Sequence, residues 1–134
     1  MPREIREFLN QYRDAFNALN GNAVAELYAE PSGIAQDGTY THWPEREPVA
    51  ENMTALCKIY KDKGFIRADF EPCQFIAQGE KYAVADVQWR IDWKGQEPWR
   101  FKTTYNLFRT DQGWKVFLCT AYSEAALHRA TSAA

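Results

Sequence analysis

The amino-acid sequence predicts an α+β fold in which three amino-terminal helices pack on a curved antiparallel sheet. Up to Gly64, apolar residues recur at helical spacing. Beyond Gly64, four runs rich in aromatic and β-branched residues alternate apolar with polar side chains, and short glycine-containing turns separate these runs. An antiparallel sheet with one apolar face buries that face against another layer, so we expect the helices to cover it.

Three apolar stripes predict the three helices. The first helix ends at Asn20-Gly21, a favourable carboxyl-terminal cap, and Asn22 is expected to cap a short second helix that ends before Pro31. The third helix is expected to begin at Pro48, where the missing N–H costs nothing, and Gly64 ends it. The stripes consist of Ile5, Phe8, Leu9, Tyr12, Phe16 and Leu19 in the first helix, Val24, Leu27 and Tyr28 in the second, and Val49, Met53, Leu56 and Tyr60 in the third.

Alternation and turn residues predict the strands. Two short strands flank a turn at Asp37-Gly38, before the third helix. In the first long strand after that helix, the alternation changes phase at Pro72-Cys73, which predicts a β-bulge that bends the strand. Residues from Ser123 onward are expected to begin a helix and then fray. The four long strands are predicted at residues 65–77, 82–93, 99–110 and 114–122.

Length and charge limit the class of protein. The 134 residues are expected to form one domain, 1–134, with a core at about 3–124 and a tail at 125–134. The chain has 16 basic and 18 acidic residues and no run of like charge, so we expect neither nucleic acid nor a membrane as a partner. The amino terminus is charged and no apolar run approaches about 20 residues, which predicts a cytoplasmic location.

The cysteines do not indicate a metal site. Cys57, Cys73 and Cys119 are an odd number at wide spacing without a CxxC pair, which predicts reduced thiols. No local ligand pair and no glycine-rich phosphate loop occurs in the sequence, so neither a metal nor a cofactor is predicted.

One face of the two central long strands combines large aromatic side chains with hydroxyls. Between residues 82 and 108 this face carries Trp89, Phe101, Thr103 and Tyr105. A hydroxyl is costly to bury without a hydrogen-bond partner. The face therefore closes either on a dry core that satisfies these hydroxyls or on a ligand that needs them.

Parts of the sequence resemble a known superfamily. The string YRDAFNALNGNAVAELYAEPSGIAQDG, the third helix and the ending NLFRTDQGWKVFLCTAYSE are similar to the nuclear transport factor 2-like superfamily, over about residues 3–124. Its members include steroid Δ-isomerases, SnoaL-like polyketide cyclases and scytalone dehydratase. The resemblance implies a cone-shaped, cystatin-like fold and a homodimer formed through the outer face of the sheet. It implies no single function, because this scaffold carries enzymes, carriers and interaction modules.

In such a cone, the inner face of the sheet and the first helix line one pocket. Mostly apolar walls with a few hydroxyls suit a small hydrophobic or aromatic ligand. The expected ligand-binding residues are Tyr12, Phe16, Tyr28, Val87, Trp89, Phe101, Thr103, Tyr105, Leu118, Thr120 and Tyr122.

The catalytic pattern of the steroid isomerases is matched only in part. That pattern combines an aspartate base with an oxyanion hole made of a tyrosine and a protonated aspartic acid. Tyr12 matches the tyrosine, Tyr105 stands in place of the aspartic acid, and the base position falls on Gln36. The next residue, Asp37, replaces the base only if a bulge turns it inward, and it also suits a turn. The alternative acid–base set is an oxyanion hole of Tyr12 and Tyr105 with His42 as the general base.

Two functions fit these patterns. The first is small-molecule binding, either alone or with the chemistry of a cofactor-independent isomerase, lyase, cyclase or dehydratase. The second is a non-catalytic interaction or dimerisation module whose cone is filled by its own large side chains, such as Trp89, Phe101 and Tyr105. A pocket larger than about 300 Å³ distinguishes the first function from the second.

Overall fold

A computed structural model describes residues 1–122, which form three helices and six strands. The predicted helix that starts at Ser123 lies outside the described residues. Within residues 1–122, no helix combines the length and apolar character needed to cross a membrane. The helices are α1 (Arg3–Asn17), α2 (Gly21–Ala25) and α3 (Arg46–Asp62). The strands are β1 (Ser32–Gln36), β2 (Thr39–Trp43), β3 (Phe65–Gln78), β4 (Tyr82–Trp93), β5 (Gln96–Thr110) and β6 (Gly113–Tyr122).

The strands form a mixed sheet rather than the antiparallel sheet that the sequence predicts. Their order is β2-β1-β6-β5-β4-β3. The four long strands are antiparallel as predicted, but β1 pairs in parallel with β6, from Ile34 to Gln36. Parallel neighbours need a long crossover, and the chain from β2 to β5 forms it. The β1–β2 hairpin thereby pairs with β6, whose outer edge would otherwise lack a partner.

Two helix starts differ from the prediction. Asn20 caps α2 in place of Asn22, because the Asn20 side-chain oxygen accepts a backbone N–H bond of 3.0 Å. Helix α3 begins at Arg46, so Pro48 is its third residue rather than its first. Pro48 still costs nothing there, since the first four N–H groups of a helix have no partner within it. The Glu30 carboxylate, from outside the helix, accepts the Arg46 N–H at 2.8 Å.

Two register shifts interrupt β3. Between Pro72 and Gln74 the pairing with β4 shifts, which confirms the predicted bulge. A second shift, between Phe65 and Arg67, is not predicted by the sequence. Alternation in the sequence assigns Ile66 to the apolar face. At this shift the Ile66 side chain is instead 61% exposed.

A bulge in β6 places three predicted pocket residues on the opposite face of the sheet. Asn106 of β5 pairs with Leu118 of β6, but the next residue, Leu107, pairs with Val116. Phe117 therefore has no partner in β5. Residues directly opposite each other in an antiparallel pair share a face. Leu118, Thr120 and Tyr122 pair with residues of β5 that point away from the helices. The prediction that these three residues face the pocket is therefore wrong.

Packed side chains fill only one end of the space between α1 and the concave face of the sheet. At the other end, Asn17 holds α1 to β3 through two hydrogen bonds with Ala68. The Asn17 amide donates to the Ala68 carbonyl at 3.0 Å and accepts from the Ala68 N–H at 2.7 Å. The filled end of the core includes Ile5, Leu9, Val24, Leu107 and Val116.

Candidate functional site

A cavity of about 1010 Å³ lies between α1, α3 and the concave face of the sheet. The tip of the β1–β2 hairpin and the first residues of β5 form its mouth, where most of the lining residues are exposed. Aromatic and aliphatic side chains form most of the deeper wall. Because the volume exceeds about 300 Å³, the cone is not filled by its own side chains.

Most of the predicted ligand-binding residues line this cavity. Val87 does not, because it is completely buried in the packed part of the concave face. Leu118, Thr120 and Tyr122 lie on the other face, and Cys119 of β6 lines the cavity instead. The residues that line it as predicted are Tyr12, Phe16, Tyr28, Trp89, Phe101, Thr103 and Tyr105.

Two hydrogen-bonded pairs of aromatic side chains form the floor of the cavity. The Trp89 indole Nε1–H donates to the Tyr105 hydroxyl at 3.0 Å, and the Tyr12 and Tyr28 hydroxyls lie 2.8 Å apart. The Tyr12 and Tyr105 rings bring these two pairs together, with centroids 5.0 Å apart in an edge-to-face arrangement. The Cys119 thiol is buried and lines the same part of the cavity. We call these five residues the floor chain.

Every ionisable group of the floor chain stays protonated near neutral pH. Burial raises the pKa of Tyr12, Tyr28 and Tyr105 well above about 10, the ordinary tyrosine value. Burial also raises the pKa of Cys119 to about 12. A general base or a thiolate nucleophile must lose its proton to react. The floor chain therefore supplies neutral hydrogen-bonding groups and no base.

The two other predicted catalytic residues lie away from the floor. Asp37 and Gly38 both have positive φ angles, 51° and 76°, and form the two-residue turn of the β1–β2 hairpin at the cavity mouth. His42 lies on the same face of β2 as Tyr40, whose hydroxyl is 3.2 Å from the His42 Nδ1. The cavity is lined by the opposite face of β2. The prediction of His42 as a general base in the pocket is therefore wrong.

Comparison with known proteins identifies the family. The model of the family described as NTF2-like protein (DUF6841) matches residues 3–124. The chain belongs to this NTF2-like family. No curated protein matches the chain.

Solved structures share the NTF2-like fold. A domain of unknown function with a cystatin-like fold from Nostoc punctiforme is 22% identical, with a TM-score of 0.75, over 95% of this chain and 79% of that chain. An NTF-2 like protein of unknown function from Shewanella oneidensis is 17% identical, with a TM-score of 0.72, over 88% and 95% of the two chains. A ketosteroid isomerase-like protein from Erwinia carotovora atroseptica is 14% identical, with a TM-score of 0.68, over 87% and 91%. At these identities the likeness establishes the fold alone, and the predicted cystatin-like α+β class is confirmed.

Sequence reasoning did not identify two parts of the cavity wall in this NTF2-like fold. Helical spacing predicts Met53, Leu56 and Tyr60 as a buried stripe, and the structure adds that this stripe faces the cavity. Alternation in β2 places Thr41 and Trp43 on one face, and that face also lines the cavity. The faces were readable from the sequence, but the pairing of the hairpin with β6 was not.

Proposed function

We propose that this NTF2-like protein binds a small, largely apolar, aromatic molecule in its cavity. The observation that carries the proposal is the cavity of about 1010 Å³, at the upper end of the roughly 300–1,000 Å³ of known ligand sites. Rings from Tyr12, Phe16, Trp89 and Phe101 line it, and such rings stack on or meet the edges of aromatic ligands. A few hydroxyls among apolar walls fix the orientation of a ligand.

The side chains that line the cavity favour binding over catalysis. A cofactor-independent isomerase, cyclase or dehydratase needs an acid or base beside the reacting atoms. Among residues 1–122, the ionisable groups of the floor chain keep their protons near neutral pH, since burial raises their pKa, and Asp37 lies at the mouth. The lining residues therefore support ligand binding alone better than acid–base catalysis on the bound ligand.

Two neighbouring residues of β6 provide a matched test. Ala121 lines the cavity, whereas Thr120 lies on the other face of the same strand. A phenyl ring introduced by Ala121→Phe occupies part of the cavity, and Thr120→Phe leaves the cavity unchanged. We expect Ala121→Phe to weaken the binding of naphthalene-sized aromatic compounds about tenfold or more, measured by calorimetry, with Thr120→Phe within about twofold of the unaltered protein.

Two outcomes contradict the proposal. Equal affinities of the unaltered protein and Ala121→Phe would place the ligand outside the cavity. Failure of the unaltered protein to bind any aromatic compound of a screen that includes phenols, alcohols, ketones and hydrocarbons would remove the proposed function itself.

We further propose that two copies of the chain associate through the convex face of the sheet. Tyr82, Phe108 and Phe117 form a cluster of rings on that face, which we call the aromatic patch, with centroids 5.8–6.4 Å apart. Tyr82 is 50% exposed and Phe117 is 37% exposed. Clustered exposed rings are typical of protein–protein contacts.

A cytoplasmic location is also part of the proposal. All three cysteines are free thiols, two of them buried. A reducing compartment maintains such thiols, whereas secreted proteins commonly pair theirs. Detection of the protein in the cytoplasmic fraction of its native cells tests this location, and its recovery outside the cell would contradict it.

A further inference from the structure

The two edges of the sheet differ in how well they are protected against pairing with another strand. β3 forms one edge and β2 the other. Two register shifts and Pro72 interrupt β3, and Arg67, Asp69 and Glu71 add exposed charges to it. Bulges, prolines and charges are the features by which proteins keep an edge from adding a strand. β2 pairs with β1 without a register shift and contains no proline, lysine, arginine or acidic residue, so it lacks this protection.

The β1–β2 register shows which backbone groups of β2 point outward. The two-residue turn of the hairpin makes Gln36 and Thr39 a hydrogen-bonded pair. Bonded and non-bonded pairs alternate in an antiparallel ladder, so Thr41 also bonds to β1, whereas the N–H and C=O groups of Tyr40 and His42 point away from it. Within residues 1–122 these groups have no backbone partner. The edge therefore presents two donors and two acceptors in the order that fits an extended backbone.

The side chains of the same two residues add rings beside these groups. The Tyr40 hydroxyl lies 3.2 Å from the His42 Nδ1, and the two ring centroids are 6.3 Å apart. The Tyr40 ring lies against Gly33 of β1 and is still 59% exposed. Aromatic residues on a strand interact favourably with aromatic or β-branched residues opposite them on the neighbouring strand. A strand added to β2 therefore gains ring contacts as well as backbone hydrogen bonds.

Carboxylates surround this edge. Between residues 29 and 57 the chain has five acidic residues and one basic residue, Arg46, which lies 3.8 Å from the Glu30 carboxylate. The other four are exposed and form no ion pair among the described residues. They lie in the turn before β2, directly after β2, and in the first part of α3, which packs against β2: Asp37, Glu45, Glu47 and Glu51. Because the whole chain has a net charge of only −2, this side of the molecule is acidic relative to the rest, which favours a basic partner.

We propose that the β2 edge is a docking site for an extended, basic segment of another protein, which adds a seventh strand to the six-stranded sheet. The outward backbone groups supply the hydrogen bonds of strand addition, and the carboxylates select lysine or arginine in the segment. A second copy of this chain fits less well, because it brings the same four carboxylates to the contact. Two paired edges of five residues are also too short to bury the roughly 1,200 Å² of a stable dimer. The proposal does not depend on a ligand in the cavity.

The first test uses three seven-residue peptides with blocked ends. One peptide alternates lysine and valine, and the second has glutamate in place of lysine. The third is the lysine peptide N-methylated at two neighbouring central residues, which removes an N–H from each of its edges and keeps its charge. We expect NMR titration of the unaltered protein to give the lysine peptide an affinity at least about tenfold higher than that of either other peptide.

Each other outcome of this titration contradicts the proposal. Equal affinities of the lysine peptide and its N-methylated form would mean that charge alone attracts the peptide. Equal or tighter binding of the glutamate peptide would remove the basic partner. Absence of binding by the lysine peptide would remove the docking site itself.

Strand addition leaves an alternating pattern of protection in β2. With the lysine peptide at saturation, we expect the amide protons of Tyr40 and His42 to exchange with solvent at least about tenfold more slowly. The amide proton of Thr41, which already bonds to β1, is expected to stay unchanged. Unchanged exchange at Tyr40 and His42 would overturn the proposal. Protection of the same two amides without peptide, in concentrated protein, would assign the edge to a second copy and would also overturn it.

A pair of variants at one position tests the edge from the side of the protein. His42→Pro removes an outward N–H, and proline is tolerated in an edge strand where this group faces solvent. We expect His42→Pro to bind the lysine peptide at least about tenfold more weakly than the unaltered protein. His42→Ala, which loses the ring and keeps the N–H, is expected to stay within about threefold. Equal affinities of the two variants would overturn the proposal, and if His42→Pro does not fold, the exchange pattern of the unaltered protein decides.

Discussion

The two faces of the central strands carry polar groups of opposite character. On the concave face, the floor chain is neutral and buried. On the convex face, the Asp86 carboxylate accepts hydrogen bonds from the Tyr122 hydroxyl at 2.8 Å and from the Thr104 hydroxyl at 3.0 Å. Arg90 and Asp92 form an ion pair of 2.9 Å on the same face. Residues one position apart in a strand thus belong to two different electrostatic environments.

The difference follows from access to water. A carboxylate on the convex face is solvated in part, and two hydroxyl donors supply the remaining interactions. On the concave face an ion would lose its hydration without a paired counter-ion, at a cost of several kcal/mol. Phenols and an indole make hydrogen bonds without carrying charge. The deep part of the concave face, at the floor chain, is therefore polar enough to orient a ligand without an ionised group.

The largest effect is expected from a charge moved between the faces. Thr103, on the concave face, is 2% exposed, and its neighbour Thr104 lies on the convex face. We expect Thr103→Asp to lower the free energy of unfolding by about 3–5 kcal/mol, because the new carboxylate is buried without a partner. Thr104→Asp, beside Asp86, is expected to cost about 1 kcal/mol. Urea unfolding followed by circular dichroism measures both, and equal losses would mean that water reaches the concave face.

Removal of a single hydroxyl compares the two networks directly. Tyr105→Phe leaves the buried Trp89 indole N–H without an acceptor, and we expect a loss of about 2 kcal/mol in the free energy of unfolding. Tyr122→Phe removes one donor from Asp86, which keeps Thr104 and solvent, so the expected loss is below about 1 kcal/mol. Urea unfolding followed by circular dichroism measures the loss in both variants. A larger loss for Tyr122→Phe than for Tyr105→Phe would mean that the hydrogen bonds of the convex face contribute more to the free energy of unfolding than those of the concave face.

The neutral floor also predicts how stability depends on alkaline pH. In the folded protein burial raises the pKa of Tyr12, Tyr28 and Tyr105, and in the unfolded chain each returns to about 10. The folded state then keeps protons that the unfolded state releases. This stabilisation is complete below about pH 10 and is lost as the pH rises through the folded pKa values. Each tyrosine lowers the free energy of unfolding by up to about 1.4 kcal/mol per pH unit above pH 10.

Unfolding at a series of pH values tests this dependence. Tyr12→Phe is expected to reduce the alkaline slope by the contribution of one tyrosine, because one raised pKa disappears. A free energy of unfolding that stays constant from pH 10 to 11.5 would contradict the raised pKa values of the concave face.

The smallest effect on the folded chain is expected at the aromatic patch. Phe117→Lys places a charge among Tyr82 and Phe108 and is expected to raise the dimer dissociation constant about tenfold or more, with under about 1 kcal/mol lost from the free energy of unfolding. Ile66→Lys is the control, because Ile66 is exposed at the other end of the sheet. Sedimentation equilibrium measures the change. A monomeric unaltered protein, or equal effects of both variants, would contradict the proposed interface.

Local periodicity predicted most of the fold. The stripe of α1 and the alternation of β4 follow directly from residue spacing, because each period matches one kind of secondary structure. The hydroxyls of Tyr12 and Tyr105 were also predicted to face the pocket. Their hydrogen bonds, to Tyr28 and from Trp89, were not predicted, because these bonds depend on the packing of residues far apart in the chain.

The failures have a common physical origin in long-range pairing. The β6 residues were assigned to the wrong face because the extra residue at Phe117 follows from registration against β5, which no local pattern encodes. Likewise, the orientation of His42 depends on the pairing of β1 with β6. The carboxylate that caps α3 comes from Glu30, sixteen positions away, so helix-cap rules based on neighbouring residues placed the helix start two residues late.

The bulge in β6 has a consequence for how this strand tolerates changes in length. Since Phe117 is surplus to the ladder, a homologue lacking this one position would keep Val116 and Cys119 on the concave side, and the cavity would retain its shape. The same homologue would lose a ring from the aromatic patch. A single-codon deletion would thus remove part of the proposed dimer contact and leave the cavity proposed for the ligand unchanged.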